Sequence, residues 1–192
     1  MTERPSIGTE GLSLQLLVLR CQAGDERAFA KLMDSFGGRT LRYLRGLVGQ
    51  DAEDVQQEVW LTVYRGLSAL VNPGAFRTWL FRTTRHRAID FLRRKKREME
   101  LIDDVPIEAV DLSDDAGEEL IDVSDIARLD AALAAMPPPQ REVLLLRYRD
   151  ALSYAEIALV VGCPIGTVRT RLYHARRRLN ERLNLPHKGD WT

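Results

Sequence analysis

The sequence predicts an all-α protein, and three observations carry that prediction. Apolar residues recur at three-to-four spacing along almost the whole chain, no stretch alternates as a half-buried strand would, and glycines fall between the periodic segments. Helices are expected at about 12–22, 25–36, 39–48, 51–69, 74–97, 124–135, 138–149, 153–160 and 164–183. Gly24-Asp25, Gly37-Gly38 and Gly49-Gln50-Asp51 read as turns, with Asp25 and Asp51 as N-caps.

With 192 residues, 45% of them hydrophobic, the chain can fill one ordinary domain or two small ones. Lys+Arg and Asp+Glu number 28 each, so the overall balance points to no charged partner. Cys21 and Cys163 lie far apart outside any CxxC or CxxH spacing, which excludes a disulfide framework and a structural zinc site and makes both small buried hydrophobes. The opening MTERPSIGTEG lacks a signal layout, and apolar runs such as Leu16–Leu19 are too short to span a bilayer. A cytoplasmic protein without membrane insertion is expected.

In the segment 51–67, DAEDVQQEVWLTVYRGL, the inward stripe is Ala52, Val55, Val59, Val63 and Leu67. Glu53, Asp54, Gln57 and Leu61 then lie outward, and a leucine exposed among acids and a glutamine marks a protein-binding face. The acids suit the helix start equally well through the macrodipole, so both readings stand.

Asn72-Pro73-Gly74 makes a short loop before a long helix in which nine basic residues accompany one acid, Asp90, between Phe76 and Arg97. At roughly 100° per residue, Phe76, Leu80, Phe81, Ala88, Phe91 and Leu92 share one arc, while Thr78, Arg82, Arg85, His86 and Arg93 share another. The bulky aromatics of the first arc suit a helical-bundle core rather than a membrane surface, and Trp60 and Trp79 read as core too. Loop and basic arc together suit an unstacked nucleic-acid strand. From Leu101 to Asp130 the charge inverts, with eleven acids against Arg128, and residues 98–122 read as a flexible acidic linker between two helical domains, 12–97 and 123–185.

In 153–183 the spacing of Ala158, Gly162 and Val168 is that of a helix-turn-helix: a small residue for close approach, a glycine for the tight turn, an aliphatic anchor. Ile165, Val168, Leu172, Ala175, Leu179 and Leu183 form the core stripe of its second helix. Thr170, Tyr173, His174 and Arg177 lie opposite, flanked by Arg169, Arg171, Arg176 and Arg178. Such a helix suits the major groove, side chains near its start meeting base edges and its shoulders meeting phosphates.

Five stretches in order, GDERAFAKLMDSF, AEDVQQEVWLTVYR, FRTWLFRTTRHRAIDFLRRKKR, MPPPQREVLLLRYRDALSYAEIA and GTVRTRLYHARRRL, resemble the successive signatures of the extracytoplasmic-function (ECF) group of bacterial RNA polymerase sigma factors, over about Leu14 to Leu183. The resemblance implies a non-enzymatic, cofactor-free promoter-specificity subunit whose partners are core RNA polymerase, promoter DNA and an anti-sigma protein, with no small-molecule substrate. It places Asp51, Glu53, Asp54, Gln57 and Glu58 at the polymerase clamp helices, and the exposed Leu61 beside them is expected to join that contact. It makes 68–75, with Asn72, Pro73, Gly74 and Ala75, the loop that captures a base flipped from the minus-ten element. Arg82, Arg85, His86 and Arg93 then support the opened strand. Thr167, Arg169, Thr170, Arg171, Tyr173 and His174 are implied to read the minus-thirty-five element, with Arg177 of the same outward face expected to join them, and the acidic linker to thread the RNA exit path. The sequence departs from the family at His86, commonly asparagine, at His174, often a basic residue, and at Thr83-Thr84, more usually apolar.

Two other classes use parts of the same pattern. A free-standing repressor or activator with this helix-turn-helix requires a homodimer on a two-fold operator. A metal nuclease requires clustered ligands, whereas His86, His174 and His187 are dispersed, and no HExxH, P-loop or nucleophile elbow occurs.

Overall fold

The computed structural model describes residues 7–100 and 123–183. The chain divides into two compact units, Met1–Ala109 and Val110–Thr192, and the described residues of both are helical throughout, without strands. None of their helices is long and apolar enough to cross a membrane.

The first unit holds α1 (Ile7–Gln22), α2 (Glu26–Val48), α3 (Ala52–Gly66) and α4 (Phe76–Glu100), with short 3₁₀ turns at Gly49–Asp51, Leu67–Ala69 and Pro73–Ala75. The first connection is tight because Gly24 takes φ +85° and Asp25 caps α2, its Oδ1 accepting the Ala28 N–H at 3.0 Å while Arg20 grips Oδ2 at 2.6 Å. One apolar cluster joins the helices, with Val18 of α1, Leu32, Phe36 and Leu44 of α2, Val55, Val59 and Val63 of α3, and Phe76, Leu80 and Ala88 of α4 buried in it. Phe36 meets Phe76, and Tyr43 meets Phe81, edge to face at ring separations of 5.5 Å, which aligns α2 with α4.

Four expectations for this unit need correction. Gly37-Gly38 makes no turn, and α2 runs through both. Burial of Leu32 and Phe36 before the pair, and of Thr40 and Leu44 after it, offsets the roughly 1 kcal/mol that each glycine costs relative to alanine. Asp51 makes no side-chain cap bond and instead accepts from Lys95 Nζ at 2.6 Å. Thr78, placed on the outer arc, is 8% exposed, because the first turn of α4 follows a 3₁₀ turn packed on α1 and is covered from more sides than a single stripe. Leu92, placed in the core arc, is 42% exposed, since Ala88 and Phe91 already fill the width that neighbouring helices cover. The helix itself continues through Glu100, and residues 101–122 of the expected acidic linker lie outside the described residues.

In the second unit α5 (Val123–Ala134), α6 (Pro138–Tyr148), α7 (Tyr154–Val161) and α8 (Ile165–Leu183) enclose a smaller core. Val143 and Leu146 of α6, Ile157 and Val160 of α7, and Val168 and Leu172 of α8 are buried in this unit, and Met136, Leu144 and Ala175 form a cluster flanked by Leu133 and Leu179. Ile165, expected in the stripe, is 43% exposed: α7 has ended four residues earlier, and the buried stripe begins one turn later at Val168.

Two substitutions check these local accounts. A Cβ at Gly37 meets nothing within 4 Å, so Gly37→Ala is expected to raise the denaturant midpoint, stabilising by about 0.5–1 kcal/mol. The Ala28 N–H and Arg20 hold the Asp25 carboxyl below its ordinary range. Asp25 therefore contributes stability that is complete above the unfolded carboxylate pKa of about 3.9 and is lost as pH falls through the depressed value. Asp25→Asn is expected to remove that increment and flatten the acid limb of unfolding curves followed by circular dichroism.

Candidate nucleic-acid interface

The α7–α8 junction is built to aim α8. Ser153 and Glu156 form a reciprocal capping box, Ser153 N–H donating to Glu156 Oε2 at 2.7 Å and Glu156 N–H to Ser153 Oγ at 3.3 Å. At the other end Gly162 adopts φ +69°, and the N–H groups of Gly162 and Cys163 both donate to Ala158 C=O, at 2.9 and 3.2 Å. Pro164 then leads into α8, whose Val168, Leu172 and Ala175 are buried.

Burying that stripe turns Arg169, Thr170, Tyr173, His174, Arg177 and Arg178 to the surface. The Tyr173 and His174 rings stand edge to face at 5.4 Å, while Thr170 Oγ1 donates back to Gly166 C=O at 3.1 Å, leaving its hydroxyl oxygen able to accept. Arg177 donates to Glu181 at 2.8 Å, which raises its pKa. Thr167 and Arg171 are half-buried, and Arg171 Nη1 lies 3.8 Å from Cys163 Sγ. Arg176 belongs to the fold: its Nη2 donates to Tyr154 Oη at 3.1 Å and its guanidinium stands 5.4 Å from the Tyr148 ring centre. The outward face is thus narrower and less cationic than the arginine count suggests.

In the first unit α4 splits its charge between two sides. Arg82, His86 and Arg93 are exposed and Arg85 half-buried, whereas Arg87 and Arg94 reach α3 and Lys95 reaches the 3₁₀ turn just before it. There Arg87 Nε donates to Thr62 Oγ1 at 3.1 Å, Arg94 Nη2 to both Glu58 oxygens at 3.1 Å, and Lys95 to Asp51. Sequence reasoning missed this ladder. Its signal is an ascending series on one helix matched to a descending series, 62 and 58 on another and 51 in the turn before it, as antiparallel neighbours require. Thr84 is fully buried because its hydroxyl donates to Leu80 C=O at 2.9 Å, so an apolar site accepts it.

The loop ahead of α4 is ordered by its own polar groups. Asn72 Oδ1 accepts the Gly74 N–H at 2.9 Å, and Ala75 N–H donates to Asn72 C=O at 2.9 Å. Pro73 and Ala75 are half-buried, Asn72 and Gly74 exposed.

On α3, Glu53, Asp54, Gln57 and Leu61 are exposed, Leu61 by 56%. Gln57 and Leu61 border a groove of about 640 Å³ between α2 and α3, whose apolar wall is Phe29, Met33, Leu41, Trp60 and Tyr64. Phe29 packs edge-on to Trp60 and Tyr64 at 6.0 and 5.1 Å. Asp51 and Glu58, both half-buried, turn toward α4 instead, and Glu53 pairs with Arg45 at 3.4 Å. The α2 half of this groove carried no signal in the sequence reading, because Phe29 and Met33 fit a core stripe equally well. Among the described residues no three His, Cys, Asp or Glu side chains gather as a metal site requires.

Residues 32–98 match the model for sigma-70 region 2, and residues 126–179 the model for sigma-70 region 4. The ECF RNA polymerase sigma-E factor of Escherichia coli K12 is 31% identical over 184 residues, covering 91% of this chain and 96% of its own. That of Haemophilus influenzae is 32% identical over 183 residues, covering 91% and 97%. Among solved structures, the sigma factor RpoE of Bartonella quintana in complex with the anti-sigma factor NepR matches with TM-score 0.67 at 26% identity, covering 82% of this chain and 98% of its own. CnrH in complex with the cytosolic domain of CnrY matches with TM-score 0.60 at 25% identity, covering 89% and 97%.

The separate roles of neighbouring arginines on α8 are open to direct measurement. Arg176→Ala is expected to cost about 1–2 kcal/mol in thermal unfolding through its lost hydrogen bond and ring contact, whereas Arg178→Ala, on the exposed face, is expected to leave the transition unchanged.

Proposed function

The chain belongs to the ECF group of sigma-70 factors and directs RNA polymerase to specific promoters to initiate DNA-templated transcription; from that premise we propose which of its faces performs each step. The observation that carries the assignment is α8, a helix whose buried Val168, Leu172 and Ala175 leave Arg169, Thr170, Tyr173 and His174 exposed. This face enters the major groove at the minus-thirty-five element. Arg169 meets a base edge or phosphate, Thr170 contributes a hydroxyl, and the Tyr173–His174 pair supplies flat, partly apolar surface to a thymine methyl or sugar. Thr167, Arg171 and Arg177 border the contact.

The loop at 68–75 and the exposed side of α4 hold the minus-ten strand. Asn72 to Ala75 take the unstacked base, while Arg82, Arg85, His86 and Arg93 follow the phosphates beyond it. Unstacking costs a few kcal/mol per flipped base, and phosphate contacts together with a base pocket offset it, so opening draws on binding free energy. The chain needs no catalytic group of its own for this.

The exposed side of α3 docks on the polymerase. Asp54, Gln57 and Leu61, with Glu53 beside them, present a carboxylate edge to the apolar α2–α3 groove, a surface suited to a helical partner with matching basic and apolar residues. Asp51 and Glu58 contribute from the rim, where they also hold α4. An anti-sigma protein is a further partner of this chain, supported by the Bartonella relative, which was solved with NepR.

The assignment is tested by selecting DNA from a genomic library with core polymerase plus this protein, then mapping initiation at the recovered sites. Polymerase that initiates no faster from any recovered site than without the protein refutes it. Asp54→Arg is expected to weaken binding to core polymerase in a titration while the circular-dichroism melt is unchanged. Arg169→Ala is expected to spare core binding and cost about 1–3 kcal/mol in binding to minus-thirty-five duplex if Arg169 reads a guanine. Equal loss of both activities in either variant contradicts the division of labour.

A further inference from the structure

The loop that leads into α4 is held from outside by one side chain far away in sequence. Gln22, the last residue of α1, is half-buried, and its Nε2 donates to Leu67 C=O at 2.9 Å and to Leu70 C=O at 2.8 Å. Both partners are acceptors, so the amide must present its NH₂ group here, and each of its hydrogens has a carbonyl. Leu67 C=O also accepts the Leu70 N–H at 3.1 Å, so the turn and the glutamine close on the same oxygen.

The residue after this clamp is Val71, which is 97% exposed. Beyond it the Asn72 side chain closes the second turn on Gly74 N–H. Gln15, two turns earlier on α1, also reaches this turn, its Nε2 lying 3.1 Å from where a Cβ on Gly74 would stand. Val71 and Asn72 are therefore carried between two fixed turns, the first tied to α1 by hydrogen bonds and the second crowded against it. A valine left in water beside an apolar core gains by folding inward, and a fixed turn on each side opposes that collapse.

We infer that α1 is the positioning element of strand capture, with Gln22 as the residue that presets the 67–75 loop for an unstacked base. The inference rests on the proposed capture role of that loop and assigns a residue that touches no DNA. A loop ordered beforehand loses less conformational freedom on binding, so the tie favours the opened strand over the duplex without adding a contact.

The test uses the full chain, core polymerase and one promoter recovered in the selection above. Strand opening is read by permanganate reactivity at equal promoter occupancy, on templates carrying each of the four bases at the captured position. Gln22→Ala is expected to lower opening roughly tenfold, as loss of about one to two net hydrogen bonds predicts, and to weaken the preference among the four bases. Affinity for core polymerase and for minus-thirty-five duplex is expected to stay that of the parent. Gln22→Lys, whose ammonium again offers donors to two carbonyls, is expected to restore most of the opening. The inference is overturned if Gln22→Ala opens like the parent while Asn72→Ala is impaired. It is equally overturned if Gln22→Ala loses core affinity and opening alike with no recovery in Gln22→Lys, which marks a general folding role. If Asn72→Ala also opens normally, the capture role of the loop itself fails.

Discussion

A guanidinium tolerates burial only when it is paired, so a helix dense in arginine can pack along one stripe and must leave its charge elsewhere. Both basic helices obey this constraint. On α8 the burial of Val168, Leu172 and Ala175 decides which way Arg169, Tyr173 and His174 face. Two half-buried guanidinia show how this is met: Tyr154 and Tyr148 receive Arg176, and Thr62 receives Arg87. The apolar core is thus what orients the exposed charge.

The same constraint separates tasks within the first unit. One edge of α4 turns to solvent, another to α3, and the far side of α3 borders the α2–α3 groove. Thr84 shows how little freedom remains between them, since a hydroxyl is accepted at a core position only by bonding back to the preceding turn. The loop at 67–75 lies where α1, α3 and α4 meet, so its conformation depends on helices that come before and after it in sequence.

Much of this was legible in the residues themselves. The all-α class followed from periodicity, and the α7–α8 turn from Ala158, Gly162 and Val168, where the positive φ of Gly162 leaves few residue choices. The α3 stripe was legible because Ala52, Val55, Val59, Val63 and Leu67 follow one three-to-four rhythm and all five are buried. Reading failed where coverage differs from that picture: Thr78 is enclosed on several sides, while Leu92 and Ile165 lie at rims. Gly37-Gly38 misled because local propensity marked a break that tertiary burial on both sides overrode. The Gln22 tie and the α3–α4 ladder were invisible for another reason, since each joins residues 25 to 48 positions apart whose types alone carry no pairing signal.

That ladder makes the proposed docking surface and the proposed strand-facing helix share one set of charges. Removing Glu58 or Asp51 alters what an approaching protein meets, and it also releases Arg94 or Lys95 to attract nucleic acid. A charge scan along α3 therefore cannot be read one assay at a time. At these two positions a defect in assembly arrives together with a spurious gain in nonspecific affinity, and the net output understates both.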